Sequence, residues 1–144
     1  MSNQKTFAKH SISGSIAQRM ISAAEHKACE LGLQVAIAIV DESGILKAFS
    51  RMDGAPLVAV GVAIKKGVTA VGFGIPTGKS WHDFVKDDPI MLHGIQSIDQ
   101  FTMFGGGFPI TIDGHMVGAI GVSGGHYSKD EECARAGLSA LEQS

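Results

Sequence analysis

The chain has few cysteines, few charged residues and no long apolar run. Its two cysteines, Cys29 and Cys133, form no CxxC pair, which argues against a disulfide framework or a cysteine zinc site. Charged residues make up 18% of 144 residues, and the formal net charge is −2. Without a basic stripe, nucleic acid and anionic membranes are not expected partners. No apolar run is long enough for a membrane helix and the first residues lack a secretion-signal pattern, so we expect a cytoplasmic protein.

Glycine and apolar residues, by contrast, are abundant. The chain contains 19 glycines and 44% hydrophobic residues, whereas glycine averages roughly 7% of protein sequences. An apolar composition in a small domain suggests that other subunits cover part of the surface, so we expect a homo-oligomer. The six histidines show no metal-binding spacing, so no metal site is predicted.

The pattern of apolar residues and turn signals predicts a single α+β domain over residues 1–144. It indicates an antiparallel sheet of about five strands flanked by helices. A helix is expected from Ser11 or Ser13 to about Leu31, another from Pro56, and short ones over Ser80–Lys86 and from Pro89. A capping box, Ser128 to Glu131, is expected to open the last helix. The predicted strands are Val35–Asp41, Ile45–Met52, Gln100–Phe104, Phe108–Ile112 and His115–Val122.

The segment from Phe104 to Gly125 contains eight glycines among residues that otherwise favour strands. Glycine weakens a strand, so a ligand, a neighbouring subunit or a sharp bend should approach this backbone closely. Backbone N–H groups freed by glycine can also form an anion-binding nest. Gly105, Gly106 and Gly107 are therefore candidate ligand-binding residues.

Two local motifs resemble catalytic signatures but depart from them. The sequence GFGIPTGKS misses the P-loop spacing by one residue, which argues against a nucleoside triphosphatase. The sequence GVSGG matches a hydrolase nucleophile elbow, but the following helix begins too late and the partner residues are missing. Ser123 is therefore a candidate for hydrogen bonding to a ligand and not for nucleophilic attack.

Three histidines are candidates for chemistry at a site. His82 and His93 lie in an irregular middle segment that can form the rim of a pocket, and His126 directly follows the glycine-rich turn. Histidine transfers protons near neutral pH and also binds haem iron.

Four further polar residues suggest an anion-binding site. Arg51 and Asp53 lie two positions apart at a strand end, so a carboxylate can orient the guanidinium toward an anionic ligand. Lys65 and Thr69 lie one turn apart on an otherwise apolar helix, where a lysine needs a partner. Arg51 and Thr69 are predicted to bind the ligand, and Lys65 and Asp53 to take part in catalysis.

The chain resembles the GlcG/HbpS family of haem-binding or haem-degrading proteins, which includes the C-terminal domain of PduO-type adenosyltransferases. The matching segments are AIAIVDESG, RMDGAP, AIKKGVTA, PTG with Thr77, GGGFPI, VGAIGVSGG and KDEECARAGLSAL, from about Ala17 to Leu141. The resemblance implies a profilin-like fold, a compact oligomer such as an octamer or tetramer, and binding of haem or a corrinoid. Thr77 is a further candidate ligand-binding residue. The resemblance also implies that the gene lies beside those of catabolic enzymes.

Three functions remain open at this point. The first is a haem- or tetrapyrrole-binding oligomer in which a histidine is the axial iron ligand. Haem degradation is an activity that such a protein could have. The second is an isomerase, lyase or hydratase acting on a carboxylate, with Arg51 binding the substrate and Lys65, His82 or His93 moving protons. The third is a non-catalytic accessory or sensor protein that works through its assembly.

Overall fold

The computed structural model describes residues 3–143 and shows an α+β fold. In chain order the elements are α1 (Gly14–Glu30), β1 (Ala36–Asp41), β2 (Leu46–Arg51), α2 (Ala59–Phe73), α3 (Lys79–Val85), α4 (Pro89–Gly94), β3 (Gly107–Ile112), β4 (His115–Ser123) and α5 (Tyr127–Ser139). Short 3-10 helices follow α4 at Ile95–Ser97 and α5 at Ala140–Gln143.

Within the described residues the strands form one antiparallel sheet with the order β2-β1-β4-β3. In β1, Ala36 faces Arg51 of β2 on one side and Ser123 of β4 on the other. At the other edge, Gly107 of β3 faces Gly121 of β4. This register brings the start of β1 and the ends of β2 and β4 to one end of the sheet, close to the start of β3.

The two faces of the sheet bury different side chains because successive residues of a strand point to opposite sides. Large residues such as Ile37, Ile39 and Ile120 belong to the core that α1 and α5 cover. On the opposite face, Ala36 and Ala38 pack against Ala59 and Ala63 of α2. Small residues on this face allow α2 to lie unusually close to the sheet.

The glycines of β3 and β4 mark the contact with α2. A Cβ added at Gly107 would overlap the carbonyl oxygen of Lys66, and one at Gly121 would overlap that of Ala63. Within α2, an added Cβ at Gly67 would lie 3.4 Å from the Val40 side chain. The group that approaches this backbone is therefore a helix of the same chain, which corrects our expectation of a ligand or a neighbouring subunit at Gly107 and Gly121.

The expectation of about five strands is wrong by one strand in residues 3–143. Gln100–Phe104 is a loop, and Gln100 has φ of 66°, a left-handed conformation that an extended strand does not adopt. The hydroxyl of Thr69 donates to the Gln100 carbonyl at 3.1 Å and accepts from the Thr102 N–H at 3.0 Å. A helix side chain therefore satisfies the backbone groups that a strand partner would have bonded.

The predicted capping box is also wrong. His126 is the N-cap of α5, and its Nδ1 accepts from the backbone N–H of Ser128 at 3.2 Å. The helix therefore begins at Tyr127 and Ser128 lies in its first turn. By contrast, Ser13 caps α1 as expected, since its Oγ accepts from the Ile16 N–H at 3.3 Å.

A second apolar cluster supports the segment between α2 and β3. Trp81 and Val85 of α3 pack with Ile95 and Phe101. The Trp81 ring meets Phe101 edge to face at 5.5 Å, a favoured aromatic geometry. This cluster fixes α3 next to the loop that leads into β3.

In residues 3–143, none of the helices has the length and hydropathy needed to span a membrane.

Candidate functional site

A cavity of about 500 Å³ lies between the N-terminal parts of α3 and α5. Helix α3 contributes Lys79 and His82, which share a face because they are three residues apart. Helix α5 contributes Tyr127 and Glu131, which are four residues apart. The remaining wall consists of Gly78, Met103, Phe104 and Gly105. The volume of the cavity falls in the range of about 300–1,000 Å³ that is usual for small-molecule sites.

Hydrogen bonds join the two loops that form this wall. The N–H of Gly78 donates to the Met103 carbonyl at 2.7 Å, and the N–H of Thr77 donates to the Gly107 carbonyl at 3.0 Å. The Thr77 hydroxyl accepts from the Gly107 N–H at 2.9 Å. Thr77 is itself buried, so its role in one protomer is to hold the wall together.

Glu131 lies against the glycines of the wall. A Cβ added at Gly105 would overlap its carboxylate, and one at Gly78 would lie 3.0 Å from its Oε1. The other oxygen, Oε2, lies 3.6 Å from Nη2 of Arg135, and the side chain is only 19% exposed. The glycines at positions 78 and 105 therefore provide the space that this carboxylate occupies.

A buried ion pair supports the start of α5. The Lys66 ammonium lies 3.0 Å from Oδ2 of Asp130 and donates to the Val122 carbonyl at 2.7 Å. The other oxygen of Asp130 accepts from the Gly125 N–H at 2.9 Å. Burial lowers the pKa of Lys66 below its ordinary 10.5, and the charge of Asp130 opposes that shift. The pair connects α2, the end of β4 and α5, and so fixes the helix that carries Tyr127 and Glu131.

The sequence prediction selected Lys65, but the lysine that finds a buried partner is Lys66. Lys65 is exposed, whereas the Lys66 side chain is 2% exposed. Thr69 is buried, and its hydroxyl bonds to the backbone of the loop at Gln100 and Thr102. The expected site at Lys65 and Thr69 is therefore not formed within the chain, because α2 turns Lys65 away from the sheet.

Arg51 and Asp53 lie apart from the cavity. Both are exposed and line a smaller cleft of about 260 Å³ with Gly54, Leu57 and other residues of the β2–α2 connection. Arg51 is on the edge strand β2, while Gly107 is on the opposite edge strand β3. Three strand spacings correspond to about 14 Å. A single protomer therefore does not combine Arg51 with Gly105–Gly107 or with His82.

The three candidate histidines have different surroundings. His82 lines the cavity. His93 is exposed on α4 and does not line it. His126 accepts the N-terminal hydrogen bond of α5, and its ring lies 4.2 Å from the ring of Tyr127, so it supports the wall of the cavity from outside.

The remaining predicted ligand-binding residues separate in the same way. Gly105 lines the cavity, whereas Gly106 packs against the Lys66 ammonium and the Val122 carbonyl, and Gly107 packs against α2. Ser123 is buried at the end of β4 and pairs with Ala36. Sequence reasoning missed Met103, Tyr127 and Glu131. For Glu131 the available signal was an acidic residue early in a helix that follows a run of glycines.

In the described part of the chain, no group of three or more His, Cys, Asp or Glu side chains is arranged to hold a metal ion.

Comparison with known proteins identifies the family. The model of the family described as "Haem degrading protein HbpS-like" matches residues 12–139, and the chain belongs to this family. A 15.0 kDa protein encoded between dhaT and dhaS in Citrobacter freundii is 32% identical over 129 residues, which cover 88% of this chain and 89% of that protein. The corrinoid adenosyltransferase PduO of Salmonella typhimurium is 32% identical over 127 residues, or 85% of this chain but 37% of PduO.

Solved structures show the same fold. Klebsiella pneumoniae protein ORFY matches with a TM-score of 0.89 and 26% identity, covering 100% of this chain and 99% of ORFY. A double mutant of Streptomyces reticuli HbpS matches with a TM-score of 0.85 and 30% identity, covering 98% of this chain and 93% of that protein. A complex of PduOC with haem matches with a TM-score of 0.79 and 29% identity, covering 90% of this chain and 94% of PduOC.

Proposed function

We propose that this protein binds haem or a related tetrapyrrole in the cavity between α3 and α5. One observation carries the proposal: His82, Met103 and Tyr127 line the same cavity. Their side chains are of the three kinds, imidazole, thioether and phenol, that serve as axial ligands of haem iron in proteins. Of these three, His82 is our candidate for the iron ligand.

The other lining residues suit a flat, largely apolar ligand with acidic substituents. Phe104 and Tyr127 are 64% and 46% exposed, which leaves aromatic surface available for stacking. Lys79 pairs with Asp83 on the surface of α3. Because its side chain is 85% exposed, its ammonium can also turn toward a carboxylate of a ligand at the rim of the cavity. His82 is the residue that would hold the iron, and bound haem would supply redox chemistry at this position.

The relatives support this proposal. The family description refers to haem degradation, and PduOC, which has the same fold, was solved as a complex with haem. The proposal for this chain concerns binding. It does not extend to cleavage of the haem ring, to an enzymatic activity on a carboxylate or to an accessory or sensor role. None of these functions is needed for a tetrapyrrole to bind.

We also propose that the chain works as a homo-oligomer. Several large apolar residues are exposed in one protomer, among them Leu57 at 90%, Ile90 at 85% and Val58 at 69%. Leu57 and Val58 are adjacent and precede α2, so they form an apolar surface that a second subunit can cover. Light scattering on the purified chain measures the oligomer size directly.

The test is a titration with hemin followed by visible absorbance, using the wild type, His82→Ala and His93→Ala. We expect a saturable, stoichiometric Soret shift in the wild type, which His82→Ala weakens or removes because it deletes the proposed iron ligand. His93→Ala is the matched control, since His93 lies outside the cavity, and it should behave like the wild type. A weak shift that does not saturate and is equal in all three proteins would contradict the proposal.

A further inference from the structure

The connection between β2 and α2 carries an exposed apolar surface with a charge of each sign beside it. Leu57 and Val58 are both largely exposed, and Leu57 lines the small cleft that also contains Arg51 and Asp53. Within residues 3–143, neither Arg51 nor Asp53 takes part in an ion pair. These four residues form one surface, which we call the β2–α2 patch.

The backbone under the β2–α2 patch is held in place by hydrogen bonds. The Met52 N–H donates to the Val35 carbonyl at 3.0 Å, and the Ala55 N–H donates to the Met52 carbonyl at 3.1 Å. Gly54 has φ of 82°, which glycine adopts without strain, so the chain turns sharply directly after Asp53. The patch is therefore preformed, and its backbone loses little conformational freedom when a partner docks.

The charges of the patch indicate what can cover it. A small anionic ligand would meet the Asp53 carboxylate as well as the Arg51 guanidinium in the same cleft, and the carboxylate would repel it. A surface with one cation and one anion beside apolar side chains is instead complementary to a second copy of itself. In an interface with two-fold symmetry every contact occurs twice, with the two residues exchanged between the subunits. A second copy of this chain therefore brings a carboxylate for each Arg51 and an apolar side chain for each Leu57.

We infer that the β2–α2 patch is a two-fold interface between copies of this chain, in which Arg51 of each protomer pairs with Asp53 of the partner subunit. The inference rests on the homo-oligomer in the proposed function and names the surface through which the copies meet. Burial of Leu57 and Val58 drives the association, because removing apolar area from water is favourable. The two ion pairs fix the relative orientation of the copies, since charge complementarity contributes more to specificity than to affinity.

The experiment reverses one charge at a time and measures the particle mass by light scattering over a range of protein concentrations. Arg51→Asp leaves two acidic side chains in each patch, and Asp53→Arg leaves two basic ones. Each variant alone places like charges against each other across the two-fold axis, so we expect the dissociation constant of the interface to rise about a hundredfold. An equimolar mixture of the two variants restores both pairs of opposite charge, and it should recover the wild-type mass.

Recovery on mixing is specific to a contact between subunits, because adding a second chain does not restore a pair within one chain. Lys47→Asp is the matched control, since Lys47 is exposed on the same strand but does not line the cleft, and it should keep the wild-type mass. The inference is wrong, although the chain still oligomerises, if the Arg51 and Asp53 variants keep the wild-type mass, if their mixture stays dissociated, or if Lys47→Asp dissociates equally. If the wild type is monomeric at every concentration, the proposed homo-oligomer fails as well, so the two failures can be told apart.

Discussion

At the scale of single residues, Lys66 and Asp130 carry opposite charges where water reaches neither side chain. Each side chain is 2% exposed. The ammonium of Lys66 donates a hydrogen bond to the Val122 carbonyl of β4, and the carboxylate of Asp130 accepts one from the Gly125 N–H in the turn that follows. Removing one partner of such a pair leaves an uncompensated charge in the interior, which costs more than the pair itself contributes.

We predict that Lys66→Met lowers the free energy of unfolding by about 3–5 kcal/mol. The double variant Lys66→Met/Asp130→Asn should recover much of the loss, because it neutralises the carboxylate and retains an acceptor for Gly125. Denaturant unfolding monitored by circular dichroism measures both. Lys65→Met is the matched control and should change stability by at most about 0.5 kcal/mol, since Lys65 is exposed. Equal losses for Lys65→Met and Lys66→Met would contradict this role of the pair.

The residue scale also shows where sequence reasoning reached the site and where it did not. His82 and Gly105, which the sequence singled out as candidate site residues, both line the cavity, because a histidine in an irregular segment and a glycine run are visible locally. Lys66 was missed in favour of Lys65, because the choice depends on the rotation of α2 against the sheet. Tyr127 and Glu131 were missed since only the tertiary structure brings α5 next to α3.

At the scale of elements, the close contact between α2 and the β3–β4 hairpin organises the fold. The carbonyl groups of Ala63 and Lys66 lie directly over Gly121 and Gly107, which face each other in the sheet. This contact carries Lys66 to the end of β4, and from there the ion pair reaches α5. The cavity wall thus depends on glycines that do not line the cavity.

We predict that Gly121→Ala destabilises the fold by about 1–3 kcal/mol or more, because the new methyl group has to displace the backbone of α2. Gly61→Ala is the matched control: it lies in α2, and an added Cβ there meets nothing within 4 Å. It should stabilise the protein by up to about 1 kcal/mol through helix propensity. Thermal unfolding of both variants is the measurement, and a Gly121→Ala protein as stable as the wild type would refute the close approach.

The elements themselves were largely predictable. The β1–β2 hairpin, helix α2, the β3–β4 hairpin and the last helix all follow from local patterns, although α2 begins at Ala59 and not at Pro56. The error at Gln100–Phe104 has a physical cause that no local pattern contains. The loop obtains its hydrogen bonds from Thr69, which lies 31 residues before Gln100 along the chain.

At the scale of the whole molecule, the chain combines a shared fold with a cavity built from its own residues. It belongs to the HbpS-like family, whose model matches residues 12–139. Helix α3, which carries His82, also carries Trp81 at the centre of the second apolar cluster. The packing of Trp81 therefore sets the position of α3 and with it the position of His82 in the cavity.

The central claim is that a tetrapyrrole binds between α3 and α5, and locating the iron tests it most directly. Crystals grown with hemin, measured at the iron absorption edge, give an anomalous difference map that shows the iron position. The account predicts one peak per protomer in the cavity, within bonding distance of a His82 ring nitrogen. A peak at the Arg51 cleft, or one bonded only to a surface histidine such as His93, would contradict it.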